Sequence, residues 1–232
     1  MTKAEQPRRA LVIVAHPDDA EFICGGTIAR WCAEGGHVVY VIATNGDKGS
    51  HDPDMSTERL AQVRQDEQRR AARTLGVKEC IFLDYPDGFL EDTAELRGRL
   101  VREIRRHKPE VIITWDPSRH LNHRDHRIIG QAAHDAAYPL ARSSLYYPAD
   151  LEEGLQAHRV KEALLAASDQ PDYYVDVSRY ITKKIQALSS HQSQIGRTTL
   201  KELRKRVRQR AAETGTVAGY KLAEAFHRVT WG

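Results

Sequence analysis

Cysteine is scarce in this 232-residue chain: there are three, Cys24, Cys32 and Cys80, and no two are close in sequence. That excludes a disulfide framework or a zinc finger and leaves buried reduced thiols as the expectation, Cys24 included. No apolar run approaches the ~18 to 20 residues that cross a bilayer. The opening MTKAEQPRRA is polar and the apolar run after it is too short for a secretory signal, so a cytoplasmic protein is expected. The formal net charge is only +3, too small to announce a nucleic-acid partner. One stretch is strongly basic, KELRKRVRQR (Lys201 to Arg210). Leu200, Leu203 and Val207 form a single apolar stripe there, as on a solvated helix face. Repeats and low-complexity linkers are absent. With 41% hydrophobic and 29% charged residues, the composition is that of an ordinary globular chain.

Two hydrophobic periods alternate through the first two thirds. RALVIVA, HVVYVIAT, CIFLDY and EVIITW are near-continuous apolar runs, as in strands buried on both faces of a parallel sheet. Between them lie helical patterns. AEFICGGTIARWCAEG ends at Gly35-Gly36. STERLAQVRQDEQRRAARTLG has Ser56 as N-cap, Arg59 at the third helical position and Gly76 as its stop. AELRGRLVREIRRHKP is ended by Pro109, and a further helix runs from about Asn122 to Ala137. Further on, KEALLAAS and YYVDVS read as short strands, and RYITKKIQALSSHQSQI as a helix capped by Ser178. The alternation predicts an α/β fold: a Rossmann-like, doubly wound, mostly parallel sheet with helices on both faces. A single domain over 1–232 is expected, its core at about 8–142, with 143–232 completing the sheet and pocket.

Ligands of open α/β sheets bind at the carboxyl ends of the strands. Here those ends read AHPDD, ATNGD, DYPDG and TWDPSRHLNHRDH, whereas the amino ends are unremarkable surface sequence. Two polar clusters should therefore converge. One is His16, Asp18 and Asp19 on a strand-to-helix turn. The other is His120, His123, Asp125 and His126, with Asn122 as N-cap and Asp125 at the third helical position. Two imidazoles and a carboxylate make a three-ligand zinc site whose fourth position is left to water. The metal draws the pKa of that water from ~15.7 towards ~7. A spare carboxylate takes its proton, and a spare histidine donates one or steadies an oxyanion. Each residue has an ordinary alternative: Asp18 and Asp19 suit a helix N-terminus, and Asp125 suits a cap. The coincidence of both clusters at one sheet edge favours the metal site. Spacing alone does not separate Asp18 from Asp19, or His123 from His126.

AHPDDAE followed by GGTI, then ATNGDKGS, then Arg64, Glu67 and Leu75-Gly76, then His123 to His126 as HxDH, resembles the LmbE/PIG-L family of zinc-dependent N-deacetylases. The tail segments VDVSRYITKKIQALSSHQSQ and GYKLAEAFHRV are similar to those of its small bacterial members, among them deacetylases of bacillithiol biosynthesis and of chito-oligosaccharides. The resemblance implies that His16, Asp19 and His126 bind one zinc ion per chain, or another divalent metal, and that Asp18 is the general base. It implies that His123 protonates the leaving amine or stabilises the oxyanion, and that Asp125 orients His123. Arg64 falls at a position associated with substrate contact, and Glu21 at the motif's acidic position. Asn45 and Asp47, in the Gly- and Asp-rich loop from Asn45 to Met55, are further expected substrate contacts. The implied reaction removes an N-acetyl group from an N-acetylglucosamine-type conjugate, in a homo-oligomer, trimer or hexamer, with neither nucleic acid nor membrane as partner. Two alternatives stay open at this point. One is a zinc amidase acting on a thiol conjugate or a modified natural product. The other is a non-enzymatic anion- or nucleotide-binding module, disfavoured because the first strand ends in HPDD rather than G-x-G-x-x-G. The roles of His120 and His191 are not assigned by any motif.

Overall fold

The computed structural model describes residues 9–119, 122–196 and 198–231; His120 lies outside them. β1 (Arg9–Val14), α1 (Asp19–Ala33), β2 (His37–Thr44), α2 (Thr57–Leu75), β3 (Glu79–Tyr85), α3 (Ala94–His107), β4 (Val111–Trp115) and α4 (Arg124–Asp135) follow the expected alternation. The remainder contributes a one-turn α5 (Ala149–Glu152), β5 (Glu162–Ala166), β6 (Tyr173–Asp176), α6 (Ile181–Leu188), a one-turn α7 (Gln192–Ile195), α8 (Leu200–Ala218) and β7 (Ala223–Thr230).

The strands form one sheet in the order β3-β2-β1-β4-β5-β7-β6. β1 to β5 pair in parallel, and β7 runs antiparallel to both neighbours. Because strand side chains alternate in direction, the apolar run of β1 feeds two cores. Ala10, Val12 and Val14 pack on one face, Leu11, Ile13 and Ala15 on the other. β2 divides in the same way, with Val38, Tyr40 and Ile42 opposite Val39, Val41 and Ala43. Strand order reverses between β1 and β4. That is the switch point where a crevice opens beyond the carboxyl ends.

Local signals hold at several helix ends. Ser56 Oγ accepts from Arg59 N at 3.2 Å, and Gly76 stops α2 at φ 89°. Thr199 and Glu202 make a capping box on α8. On α8, Leu203, Ala211 and Ala218 are buried and the cationic residues from Lys201 to Arg210 are largely exposed, while Leu200 stands 52% exposed at the end of the stripe.

Elsewhere the structure corrects the sequence. The N-cap of α4 is His123 rather than Asn122: its Nδ1 accepts from Asp125 N at 3.2 Å, so Asp125 is the second helical residue rather than the third. Ser178 does not cap α6, which starts at Ile181. Its Oγ is taken up by Asp176 Oδ1 at 2.6 Å and by Leu222 N at 3.1 Å. The continuous helix expected over RYITKKIQALSSHQSQI breaks after Leu188, leaving His191 between α6 and α7. α1 is kinked at Cys24 (φ −145°), which separates its first turn from the remainder. β7 supplies a strand that no local signal singles out, within the stretch 143–232 expected to complete the sheet.

Candidate active site

β1 ends in a tight turn, with Asp19 N donating to His16 O at 3.3 Å. The turn aims His16 and Asp19 at one point, where His126 joins them. Asp19 Oδ2 is fixed by three donors: Ala15 N at 3.1 Å, His16 N at 2.9 Å and Trp115 Nε1 at 3.0 Å. Its other oxygen, Oδ1, lies 3.1 Å from His126 Nε2. His126 arrives from α4 and stacks on the Trp115 indole, with centroids 3.8 Å apart and planes 8° from parallel. Gly130 allows that approach: a Cβ there would meet the Trp115 carbonyl oxygen at 2.4 Å, so a side chain would push α4 off the end of β4. His16 Nδ1 completes the group, 3.2 Å from His126 Nε2 and 3.6 Å from Asp19 Oδ2.

Protons decide what this triangle is for. His16 Nε2 faces Asp87 Oδ1 at 3.0 Å and Asp125 Oδ2 at 3.5 Å, so its neutral form carries the proton on Nε2. His126 Nδ1 faces Asn122 Oδ1 at 2.9 Å and holds its proton there. Two imidazole lone pairs and a carboxylate oxygen then point at one another. Without a cation that arrangement favours a proton on His16, and around a cation the neutral imidazoles and the carboxylate fit. Tetrahedral zinc bonds of ~2.0 to 2.1 Å imply ligand separations of about 3.3 Å, close to the 3.2 Å and 3.1 Å that His126 Nε2 keeps from His16 Nδ1 and Asp19 Oδ1. The outer contacts are those that metal-binding histidines make, a carboxylate or a carbonyl on the far nitrogen. Burial opposes charge on His16, but Asp125, Asp19 and Asp87 outweigh it and push its pKa up to about 12. Burial likewise opposes charge on Asp19, yet His126 and His16 hold its carboxyl well below the usual range. The site is thus set up to gather positive charge.

Asp18 sits beside the triangle without joining it. Burial pushes its carboxyl up to about 7, with Asp19 adding to the rise and Arg64, His191 and His16 opposing it. His123 lies on the open side, its ring 4.7 Å from that of His16 and 5.2 Å from that of His126. Burial, then His16 and His126, lower its pKa. Since Nδ1 accepts the Asp125 amide, the neutral ring carries its proton on Nε2.

The other expected site residues each have protein partners. The Asp125 carboxylate does not hold the His123 ring. It accepts from Gly88 N at 2.7 Å and faces His16 Nε2, so Asp125 orients His123 through its backbone amide. The Glu21 carboxylate faces protein groups. It is wholly buried against Gln68 and His191. Arg64 is also buried and already engaged, donating to Pro17 O at 2.6 Å and Gly46 O at 3.0 Å, with Asp18 Oδ2 at 3.4 Å. Gly46, at φ 67°, comes so near that a Cβ would meet the guanidinium at 2.8 Å. Asn45 Oδ1 accepts from Asp47 N, and Asp47 Oδ1 accepts from Asp87 N, so both brace the rim loops. Cys24 is buried and donates to Ala20 O.

Asp87, Trp115 and Gln68 escaped the sequence reading. The first two had a signal, since DYPDG and TWDP are strand ends on the site edge. Gln68 lies four residues after Arg64 on α2, hence on the same helix face.

The fold and this site define a metal-dependent hydrolase on a Rossmann-like sheet. A model of the PIG-L family, described as GlcNAc-PI de-N-acetylase, matches residues 11–137, and the chain belongs to that family. It is similar to the diacetylchitobiose deacetylase of Thermococcus kodakarensis, 32% identical over 96% of this chain and 83% of the relative. It is also similar to a 1D-myo-inositol 2-acetamido-2-deoxy-alpha-D-glucopyranoside deacetylase of Thermomonospora curvata, 27% identical over 83% and 82% of the two chains. Among solved structures, the N,N'-diacetylchitobiose deacetylase from Pyrococcus horikoshii superposes with a TM-score of 0.90 at 29% identity, covering 97% of this chain and 84% of that one. Among the described residues no helix is long and apolar enough to cross a membrane.

Proposed function

We propose that this chain is a zinc-dependent N-deacetylase acting on N-acetylglucosamine-type conjugates. The observation that carries this reading is the meeting of three side chains: His126 Nε2 lies 3.2 Å from His16 Nδ1 and 3.1 Å from Asp19 Oδ1, and His16 Nδ1 lies 3.6 Å from Asp19 Oδ2, with a raised-pKa carboxylate next to them. Those three residues would hold the ion, which supplies Lewis acidity and an acidified water. Asp87 and Asp125 keep His16 in the ligating tautomer, and Asn122 does the same for His126.

Asp18 accepts the proton of the water that attacks the acetamide carbon. A carboxyl raised towards neutrality by burial is matched to that task and can then return the proton. His123 acts as a neutral donor, its Nε2–H offered to the oxygen that becomes negative. The Asp125 amide on Nδ1 and the lowered pKa both disfavour an imidazolium. The leaving nitrogen therefore takes its proton from Asp18 as the C–N bond breaks, giving acetate and the free amine. Recognition of the group attached to the sugar is assigned to the loop 45–55 and the last third of the chain. We place the protein in the cytoplasm, as a homo-oligomer.

Acetate release from a panel of N-acetylglucosaminides, measured with metal-stripped and zinc-restored protein, tests this reading. Zinc-dependent release from at least one member is expected. No release from any member at full zinc occupancy would refute it.

A further inference from the structure

Asp18 holds φ at 112° and ψ at −27°. L-residues avoid that region because Cβ crowds the backbone, and they stay there only when their surroundings over-determine the conformation. The surroundings here grip one peptide unit at both ends. The Pro17 carbonyl accepts from Arg64 Nη2 at 2.6 Å, and the Asp18 amide donates to Gln68 Oε1 at 2.8 Å. Both gripping residues lie on one face of α2.

Gln68 is itself keyed. Its Nε2 donates to Glu21 Oε1 at 3.0 Å and Oε2 at 3.1 Å, and His191 Nε2 meets Glu21 Oε2 at 3.1 Å. Gln68, Glu21 and His191 are each 0% exposed. A carboxylate only accepts, so the amide nitrogen of Gln68 must face Glu21 and its oxygen must face Asp18. The chain of contacts joins α2, the first turn of α1 and the segment between α6 and α7, and the reaction as derived above uses none of these three side chains.

We propose that Gln68, oriented by Glu21 and His191, is a positioning residue that locks the Pro17–Asp18 peptide and so aims the Asp18 carboxylate. This rests on Asp18 being the base. Without the lock the peptide relaxes to an ordinary conformation and Asp18 swings away. Asp19 keeps its own three donors, so metal binding survives.

In Gln68→Leu, kcat at full metal occupancy is expected to fall about 10- to 100-fold, with KM within about threefold, as for a misplaced catalytic group. Leu75→Ala, a buried change on the same helix remote from the turn, lowers Tm and leaves kcat unchanged. His191→Gln, which keeps a donor for Glu21, retains most of kcat, whereas His191→Ala does not. Amide exchange of Asp18, followed by NMR, is slow in wild type and faster in Gln68→Leu and His191→Ala. That readout needs no substrate, so it stands even if the deacetylase reading fails. Either of two results overturns the proposal: kcat within about twofold of wild type in both loss variants, or unchanged Asp18 amide protection in them. Should Gln68→Leu not fold, equal kcat in His191→Gln and His191→Ala overturns it.

Discussion

The stretch 11–137, which matches the family, and the stretch from 138 onward contribute to the site in different ways. The first supplies each residue assigned to metal, base or oxyanion: His16, Asp18, Asp19, His123 and His126. The second supplies braces. Lys184 Nζ donates to Phe22 O at 2.8 Å and to Glu224 Oε1 at 2.6 Å. Glu224 in turn accepts from Gly26 N, Thr27 N and Thr27 Oγ1, capping the part of α1 that restarts beyond the Cys24 kink. His191 meets Glu21, Ser193 bonds Glu67, and Gln194 reaches Gly49 O. Reactive groups thus lie on the turn after β1 and at the start of α4, while the charged groups that hold α1 in place come from α6, the α6–α7 break and β7. The chemistry is concentrated in one part of the chain, and its rigidity is shared between that part, through Arg64, Gln68 and Trp115, and the braces from the other.

Changes in the two stretches should therefore fail in different ways. The largest effect belongs to the ligands. His126→Ala should lose stoichiometric metal and all measurable turnover, because two ligands make a poor zinc site. Metal analysis of the purified variant checks this, and one tightly bound ion would sink the assignment. Asp18→Asn comes next. It should keep the metal and lose about 10²- to 10⁴-fold in kcat, the range for removing a general base. Turnover near that of wild type would show that another group takes the proton.

A brace should fail through stability instead. Lys184→Met takes the cation from the Glu224 carboxylate, which is 6% exposed but keeps its donors on Gly26 and Thr27, and should cost about 1.5 to 3 kcal/mol of folding free energy with metal stoichiometry intact. Urea unfolding measures it, and a loss of metal without a loss of stability would reverse the comparison. The smallest effect is a pH dependence. Burial would lower the pKa of His191, but Glu21 outweighs it and raises the value above 6.5. The sign follows by linkage: the contribution is full below the ordinary value and is lost as pH rises through the folded one. The Tm advantage of wild type over His191→Gln should accordingly be larger at acid than at alkaline pH, and a constant difference would contradict it.

The same division explains what the sequence made legible. β1 to β4, their helices and the two polar clusters could be read because apolar period and strand-end position are local signals. The family resemblance, not spacing, separated Asp18 from Asp19. What could not be read depended on tertiary partners. Glu21 looks like a motif carboxylate until His191, 170 residues away, closes on it. The grip of Arg64 on the Pro17 and Gly46 carbonyls joins segments distant in sequence. Lys184 and Glu224 are unremarkable letters, and only packing α6 against α1 and β7 makes them an ion pair. Ser178 is a plausible cap by type, but Asp176 and Leu222 claim its hydroxyl.

The most direct test of the central claim is a zinc titration of chelator-stripped protein with acetate release from an N-acetylglucosaminide as the readout. Turnover should rise in proportion to bound zinc and level off at one ion per chain. Undiminished acetate release from fully stripped protein, or none at one ion per chain on any N-acetylglucosaminide, would contradict the account.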